Sequence, residues 1–317
     1  MRTLHELGET GAIALMSEIL AGGRLPPGWL GPGDDTAITD LPAGMRVLTT
    51  CDVLVEGIHF RRETAPPEDL GWKALAVNVS DIHAMGGTAA WAVVGLCLPS
   101  ELAADWLAGL YRGLAAAAAA YDAPVVGGDT GGSTGPIALS VTVVGYTRQP
   151  RLRADARPGD VLISTGPHGL SRAGLWALEH PGVDLPLDLR IRAERHHNRP
   201  ELPGARAALT DLPRAALLDD SDGLGTSCRL LAEASGVALH LAPGRVPIDP
   251  VARAIAAAAG ADPLAWALWG GEDYGLVAAV PAGTPLFDGW HVIGDVRAGA
   301  GVYMDGEPLL GMPYRHF

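Results

Sequence analysis

The chain has 317 residues, more than a single domain usually contains, so two domains are expected. Its composition, with 48% hydrophobic and 5% aromatic residues, is typical of a folded globular protein and excludes a disordered one. The formal net charge of -13 argues against nucleic acid and anionic membranes as partners, although an acidic protein can still bind phosphates through divalent cations.

Helical periodicity alternates with short apolar runs along the chain, which predicts an α/β protein of the α+β type. The predicted helices span 9–21, 67–85, 101–121, 169–179, 223–235 and 250–259. The predicted strands span 46–53, 90–98, 124–126, 137–146, 160–165, 237–241, 275–280 and 290–296. An arginine-rich stretch after residue 146 indicates a domain boundary there, with an N-terminal domain over 1–148 and a C-terminal α/β domain over 149–317.

A Pro-rich and charged segment covers residues 180–204, and it is expected to be a surface connection with His196 and His197 exposed. The cysteines, Cys51, Cys97 and Cys228, form no C-x-x-C pair, so neither a disulfide framework nor a zinc site is predicted. All three are expected to be buried. Because the N-terminal residues do not read as a signal peptide and no run approaches the roughly 18 apolar residues of a membrane span, we expect a cytoplasmic protein without a membrane partner.

Acidic residues recur beside glycine at predicted element ends. The segments are GPGDD from residue 31, TTCDVLVEG from 49, NVSDIHAMGG from 78, VVGGDTGG from 125, LLDDSDGLG from 217 and WGGEDYG from 269. Any one of them could be an ordinary turn, since Asp and Gly both favour turns. If Asp35, Asp52, Asp81, Asp129 and Asp219 met at one site, each pair ~4 Å apart would repel by ~4 kcal/mol at an effective dielectric of ~20. Such a cluster would persist only with cations in it.

Carboxylate oxygens without His or Cys suit hard cations, so the acidic segments predict Mg²⁺. Mg²⁺ usually shares its carboxylates with substrate phosphates, which indicates nucleotide chemistry. The chain has no G-x-x-x-x-G-K-[ST] loop, and Lys73, its only lysine, lies in a helical pattern. Metals, backbone N–H groups and arginines such as Arg153 would therefore neutralise the phosphates.

Several motifs resemble those of thiamine-monophosphate kinases in order and approximate spacing. They are GPGDDTAI, DVLVEGIHF, KALAVNVSDIHAMGG, VVGGDT, RPGDVLISTG, LLDDSDGL, WGGEDYGL and GMPYRHF. The resemblance spans essentially the whole chain and extends to the superfamily of aminoimidazole ribonucleotide synthetase. It implies a two-domain fold like that of the synthetase, with an N-terminal ATP-binding domain of mixed sheet and helices and a C-terminal α/β domain.

The resemblance also implies roles for individual residues. Mg²⁺ would be bound by Asp35, Thr50, Cys51, Asp52, Asp81, Asp129, Asp219 and Asp222. ATP would be bound by Tyr111, Gly128, Asp129, Arg153 and Ser221, and the thiamine moiety or its phosphate by His59, Glu272 and Tyr314. Cys51 stands where the family usually has Thr; the change is mild if this position binds Mg²⁺ through its carbonyl oxygen, whereas a side-chain role would be lost, because a thiol is a poor Mg²⁺ ligand.

The implied reaction transfers the γ-phosphoryl group of ATP to the phosphate of thiamine monophosphate. The nucleophile would already be a phosphate oxygen, so no general base is predicted, and catalysis would consist of positioning and charge neutralisation by several Mg²⁺ ions during direct in-line transfer. The family also implies a homodimer formed through the N-terminal domain, for which strands 46–53 and 90–98 are candidate contacts.

Two alternatives remain open. Another ATP-dependent synthetase of the superfamily would share the ATP site but not the acceptor pocket. The chain lacks the DGVGTK-like strand end of aminoimidazole ribonucleotide synthetases. Selenophosphate synthetases typically have a reactive Cys and a nearby Lys in the N-terminal segment, and this chain has no such pair before residue 51. A non-catalytic nucleotide- or metal-binding relative would keep the fold, and Cys51 leaves that reading open.

Overall fold

The structure is a computed structural model that describes residues 2–23, 25–32, 36–204, 212–286 and 288–311. The chain divides into two compact units. The first consists of Met1–Ile82 and Gly87–Arg148, and the second of His83–Gly86 and Gln149–Phe317. The short segment His83–Gly86 is tied to the second unit by a hydrogen bond from Arg151 N to Met85 O (3.0 Å).

The first unit contains a four-stranded mixed sheet and its helices. Its elements are α1 (Leu4–Leu20), β1 (Arg46–Val55), α2 (Pro67–Ala84), β2 (Thr88–Pro99), α3 (Ala104–Tyr121), β3 (Val125–Ser133) and β4 (Ala138–Thr147). The strand order is β1-β4-β2-β3. In this order β1 and β3 form the two edges. Strands β2 and β3 run parallel, whereas the other neighbours are antiparallel.

Helices α2 and α3 touch at two glycines. A Cβ atom added to Gly71 would lie 2.0 Å from the carbonyl oxygen of Leu110, and one added to Gly113 would lie 1.9 Å from the carbonyl oxygen of Glu68. The helix backbones are therefore in direct contact, which only residues without a side chain allow. This contact fixes the position of α2 and with it that of Asp81.

The second unit is built on a seven-stranded mixed sheet. Its helices are α4 (Leu170–Glu179), α5 (Leu187–Asn198), α6 (Leu224–Ser235), α7 (Pro250–Ala259) and α8 (Pro263–Trp269). Its strands are β5 (Val161–Thr165), β6 (Ala216–Asp220), β7 (Ala238–Leu241), β8 (Gly275–Val280), β9 (Trp290–Arg297), β10 (Gly301–Met304) and β11 (Glu307–Pro308). The order is β11-β10-β7-β9-β5-β8-β6, in which only β7 and β10 pair in parallel.

Side chains on the two faces of this sheet enter separate hydrophobic cores. Leu162 packs among residues of α4, α6, α7 and α8, whereas its neighbour Ile163 belongs to a smaller core with Leu217 and Trp290. The alternation follows the two-residue repeat of a strand. Both units combine mixed sheets with helices, so the predicted α/β class of the α+β type is confirmed.

Most predicted elements are present with shifted ends, but two predictions were wrong. The strand predicted to end at residue 126 continues to Ser133, so the GGDTGG segment is strand and not a turn. Its glycines hid this, because Gly is rare in strands; here Gly128 lets β3 approach β2 so closely that a Cβ would lie 2.0 Å from Val94 O. The segment 180–204 is not merely a surface connection, since it contains α5, whose buried residues are Ala193, His197 and Asn198. Two of these are polar, which hid the helical pattern.

The N-terminal helix begins earlier than predicted. Thr3 and Glu6 form a capping box, in which Thr3 Oγ1 accepts from Glu6 N and Glu6 Oε2 accepts from Thr3 N. Gly8, with φ of +71°, interrupts the helix, so the predicted start at residue 9 corresponds to the part after the kink. Within the described residues no single helix has the length and apolar composition to span a membrane, although α7 and α8, bent by 113°, meet the criterion together.

Candidate active site

Three of the predicted metal ligands come together on β1 and α2. Alternation along β1 places Thr50 and Asp52 on one face of the sheet. The Thr50 hydroxyl donates a hydrogen bond to the Asp81 carboxylate, and Asn78 Oδ1 accepts one from Asp52 N (3.0 Å). Asn78 is fixed in turn because its Nδ2 donates to Ala74 O (3.0 Å). The two carboxylates are thus held near each other by a short polar network.

The charge of Asp52 is poorly balanced. Burial, and after it the negative charge of Asp81, raises the pKa of Asp52 to about 6. In the part of the chain that the structure describes, Asp52 forms no ion pair with a cationic side chain. Hard oxygen ligands that repel one another fit a divalent cation such as Mg²⁺, which removes the repulsion when it binds.

Cys51 points away from this pair. It lies between Thr50 and Asp52 on β1, and its Sγ is 3.3 Å from Ser140 Oγ on β4. Because neighbouring strand residues face opposite sides, its thiol does not share an ion with the Asp52 side chain, and only its main-chain carbonyl remains available. Burial was wrongly predicted for two cysteines, since Cys51 and Cys97 are exposed and only Cys228 is buried.

Asp129 and Asp52 of the same chain are far apart in space. Strand pairing places Asp52 opposite Val141, Val141 opposite Val94, and Val94 opposite Gly128. This row crosses three interstrand spacings, or about 14 Å. Asp129 is the next residue on β3, is exposed, and faces the other side of the sheet. Since Mg²⁺ binds oxygen at about 2.1 Å, one ion cannot take ligands from both acids of the same chain.

His59 lies just after β1 and is oriented by the backbone. Val55 N donates a hydrogen bond to His59 Nδ1 (3.0 Å), and His59 N donates to Val55 O (2.9 Å). When the ring is neutral, its proton is therefore on Nε2.

The predicted ATP residues differ in exposure. Tyr111 is 5% exposed within α3, and burial raises the pKa of its hydroxyl. Arg153 is exposed, and its carbonyl accepts a hydrogen bond from Ser235 Oγ (2.7 Å). Ser221 follows β6, and its carbonyl accepts from Glu272 N (2.7 Å). Two predicted residues, Asp35 and Tyr314, lie outside the described residues.

The acids at the end of β6 have different environments. Asp220 is fully buried, and its carboxylate is hydrogen-bonded to His168 Nδ1 (2.8 Å) and Ser227 Oγ (3.2 Å). Asp219 is half-buried and Asp222 is exposed. The two predicted metal ligands are thus the more accessible acids, whereas the acid between them belongs to the interior.

A second acidic cluster surrounds His168. Burial would lower the pKa of His168, but its hydrogen bond to Asp220 and the charges of Asp220 and Asp273 raise it. Asp273 accepts hydrogen bonds from Gly169 N (2.5 Å) and Ser171 N (2.9 Å) at the start of α4. The His and two Asp residues offer ligand atoms within 4.8 Å of one another, yet these atoms already have partners. This cluster was missed from the sequence, because nothing local distinguishes Asp220 from Asp219.

The WGGEDYG segment has an unusual backbone. Gly271, Glu272 and Tyr274 have φ values of +67°, +58° and +50°. Two hydrogen bonds fix the segment to the end of β6, from Glu272 N to Ser221 O (2.7 Å) and from Tyr274 N to Asp220 O (3.1 Å). Non-glycine residues with positive φ cost conformational energy and cluster at functional sites. The geometry therefore supports a functional role for Glu272.

Comparison with known proteins identifies the fold. Residues 33–147 match the family described as AIR synthase related protein, N-terminal domain. A solved structure of AaThiL complexed with AMPPCP and TMP resembles the chain with a TM-score of 0.83 and 34% identity, covering 100% of this chain and 99% of that one. The two mixed sheets and these matches define a protein of the AIR synthase-like class.

Full-length relatives identify the family. The chain is 40% identical over 315 residues to the thiamine-monophosphate kinase of Mycobacterium tuberculosis, which covers 98% of this chain and 91% of the relative. It is 36% identical over 321 residues to that of Aquifex aeolicus, covering 99% of each. The chain belongs to the thiamine-monophosphate kinase family. The resemblance noted in the sequence motifs is thereby confirmed, as is the assignment to this class of enzyme.

Proposed function

We propose that the protein transfers the γ-phosphoryl group of ATP to the phosphate of thiamine monophosphate, giving thiamine diphosphate and ADP. The observation that carries this proposal is the close pair formed by Asp52 and Asp81, where burial and like charge raise the pKa of Asp52 to about 6. The ionised form of Asp52 is costly in this position unless a cation neutralises it, and a cation held there can in turn bind phosphate. The full-length similarity to AaThiL complexed with AMPPCP and TMP supports the choice of substrates.

Several Mg²⁺ ions would neutralise the phosphates. The residues that we propose as their ligands are Asp35, Thr50, Cys51 through its carbonyl, Asp52, Asp81, Asp129, Asp219 and Asp222. The 14 Å row between the Asp52 and Asp129 strands requires at least two separate ion positions in one chain. Mg²⁺ supplies charge neutralisation and alignment of the phosphates when bound.

The chain's own residues would position the two substrates. Tyr111, Gly128, Asp129, Arg153 and Ser221 are proposed for ATP, and His59, Glu272 and Tyr314 for the acceptor. His59 would donate its Nε2 proton to the acceptor phosphate, and Glu272 would attract the thiazolium cation. The nucleophile is a phosphate oxygen that is already ionised, so direct in-line transfer needs no general base.

ADP release from purified protein tests this function. With ATP and Mg²⁺, release should depend on thiamine monophosphate and should not be supported by free thiamine. Asp52→Asn should abolish it, whereas Asp105→Asn, at an exposed position on α3, should not. Release of ADP without the acceptor, or equal use of free thiamine, would refute the proposal.

We also propose that residues 1–148 form the ATP-binding and dimerisation domain of a cytoplasmic homodimer. The face of the sheet that carries Cys51 also exposes Val47 (60%) and Val53 (51%), an apolar surface suited to a second copy of the chain. The free cysteines support a reducing compartment. Sedimentation should show a dimer for the wild type and a monomer for Val53→Asp. A wild-type monomer would contradict this assembly.

A further inference from the structure

Two adjacent histidines near the end of α5 face two adjacent acids of the WGGEDYG segment. His196 Nε2 lies 3.5 Å from Asp273 Oδ1, and His197 Nδ1 lies 3.3 Å from Glu272 Oε2. His197 Nδ1 is also 2.9 Å from Ser171 Oγ on α4. The expectation that both histidines are surface residues was wrong, since His197 is 7% exposed and His196 is half-buried.

The two acids have different tasks. The Asp273 side chain is 3% exposed, and its oxygens accept hydrogen bonds from the first N–H groups of α4, so it serves as a structural cap. The Glu272 side chain is 32% exposed and can therefore meet a ligand. The main chain of Glu272 is fixed by its bond to Ser221 O, which leaves the side-chain torsions as its remaining freedom.

His197 is held firmly enough to restrict the side-chain torsions of Glu272. Helices α4 and α5 are in close contact, because a Cβ added to Gly174 would lie 2.1 Å from Ala193 O and 2.9 Å from His197 Cβ. Ser171 contacts the ring from α4. With its proton on Nδ1, the ring shares this N–H between Ser171 Oγ (2.9 Å) and the Glu272 carboxylate (3.3 Å), and it orients the carboxylate. Side chains locked by packing in this way pre-organise the group that they contact.

We infer that His197 is a positioning residue for the acceptor: it orients the Glu272 carboxylate towards the cationic thiazolium ring of thiamine monophosphate. The inference rests on the proposed function. Fixing a carboxylate before its ligand arrives removes part of the ordering cost of binding. Because the contact involves no group proposed for ATP, loss of His197 should weaken acceptor binding and leave ATP binding unchanged.

Steady-state kinetics with each substrate varied tests this role. His197→Ala should raise the KM for thiamine monophosphate about tenfold, the value expected for loss of a hydrogen bond to a charged group, with the KM for ATP unchanged. His197→Asn should restore most of the affinity, because its amide N–H can take the place of Nδ1–H. His180→Ala, at an exposed position that contacts Trp176 O, is the matched control and should behave as wild type.

A double-mutant cycle shows whether His197 acts through Glu272. If it does, the double variant His197→Ala/Glu272→Gln should bind the acceptor no more weakly than Glu272→Gln alone. Additive effects, equal rises in both KM values, or no rescue by Asn in a variant with wild-type thermal stability would overturn the inference. If His197→Ala is active and its KM for thiamine monophosphate equals that of the wild type, only this inference is refuted. Failure of the wild type to phosphorylate thiamine monophosphate would refute the proposed function as well.

Discussion

The half-buried acids of β1 and α2 and the buried acids around His168 differ in what balances their charge. On β1 and α2, burial and a like charge raise the pKa of Asp52, and no cationic side chain among the described residues pairs with it. In the second unit, Asp220 and Asp273 enclose His168 and accept hydrogen bonds from hydroxyl and backbone donors. The first cluster is suited to an external cation, whereas the second is internally satisfied. Partners, and not acidity alone, therefore distinguish a binding site from a structural one.

The largest expected effect is on catalysis, at Asp52 of the first cluster and at Asp129 on the opposite edge of the same sheet. Asp52→Asn and Asp129→Asn should each lower kcat by about 100-fold or more, because each removes a charge that would hold a phosphate-bound cation. Both variants should keep the wild-type circular dichroism spectrum. Near-normal turnover by either variant would remove that acid from the proposed metal sites. For Asp52→Asn, it would also refute the view that the first cluster binds a catalytic cation.

The second cluster should respond in stability. Asp220→Ala leaves His168 buried without its main partner, so the free energy of unfolding should fall by about 3 kcal/mol, the lower range for breaking a buried ion pair. Urea denaturation measures this loss. Asp222→Ala, at an exposed position just after the same strand, is the matched control and should unfold close to the wild-type midpoint. Equal losses from the two substitutions would mean that Asp220 has no special structural role.

A smaller effect, of opposite sign, is expected at Asp52. Its folded pKa of about 6 lies above the ordinary value of 3.8, so ionisation of Asp52 costs stability, and this cost grows as the pH rises through the folded pKa. Without metal, Asp52→Asn should stabilise the protein by about 1 kcal/mol near pH 8, and by less near pH 5.

Thermal melts in a chelator at the two pH values measure this difference. Added Mg²⁺ should then raise the melting temperature of the wild type more than that of Asp52→Asn, because a ligand that binds the folded state stabilises it. A variant less stable than wild type at both pH values would show that the Asp52 carboxylate is already well paired.

The smallest effect is expected at Cys51. Its thiol lies on the opposite face from Asp52, near Ser140, so Cys51→Thr should change kcat and the Mg²⁺ concentration for half-maximal rate by less than about twofold. Thr50→Val, which removes the hydroxyl that contacts Asp81, should have the larger effect of the two. A strong gain from Cys51→Thr would place that side chain at the metal after all.

Sequence patterns were informative where one residue determines its own environment. Period-two and helical patterns predicted β8 and α7 with their observed ends, and the family motifs pointed to acids of β1 and α2 that lie near each other. The patterns failed where the environment comes from distant residues. The glycines of β3 resembled a turn because the close approach of Val94 is not visible locally, and α5 was missed because it buries histidine and asparagine.

In the candidate site, too, the sequence did not predict the features that depend on distant residues. The sequence argument that the acids meet at one point did not anticipate that Asp52 and Asp129 lie on opposite edges of a sheet, since that separation follows from the strand order. It also could not separate Asp219 from Asp220, which are the same residue type but differ in burial, since Asp220 is fully buried against His168 and Asp219 is half-buried. Strand order and side-chain partners are properties of the folded chain as a whole.

The glycine contact between α2 and α3 predicts where substitutions that inactivate this enzyme should occur. Gly113 lies on a helix that carries no proposed metal ligand, yet its substitution by alanine would place an atom 1.9 Å from the Glu68 carbonyl and push α2 away. Because α2 carries Asp81, the displacement would reach the acid pair directly. A screen for loss of activity should therefore recover substitutions at Gly113 and Gly71 alongside those at the acids, in chains that still fold.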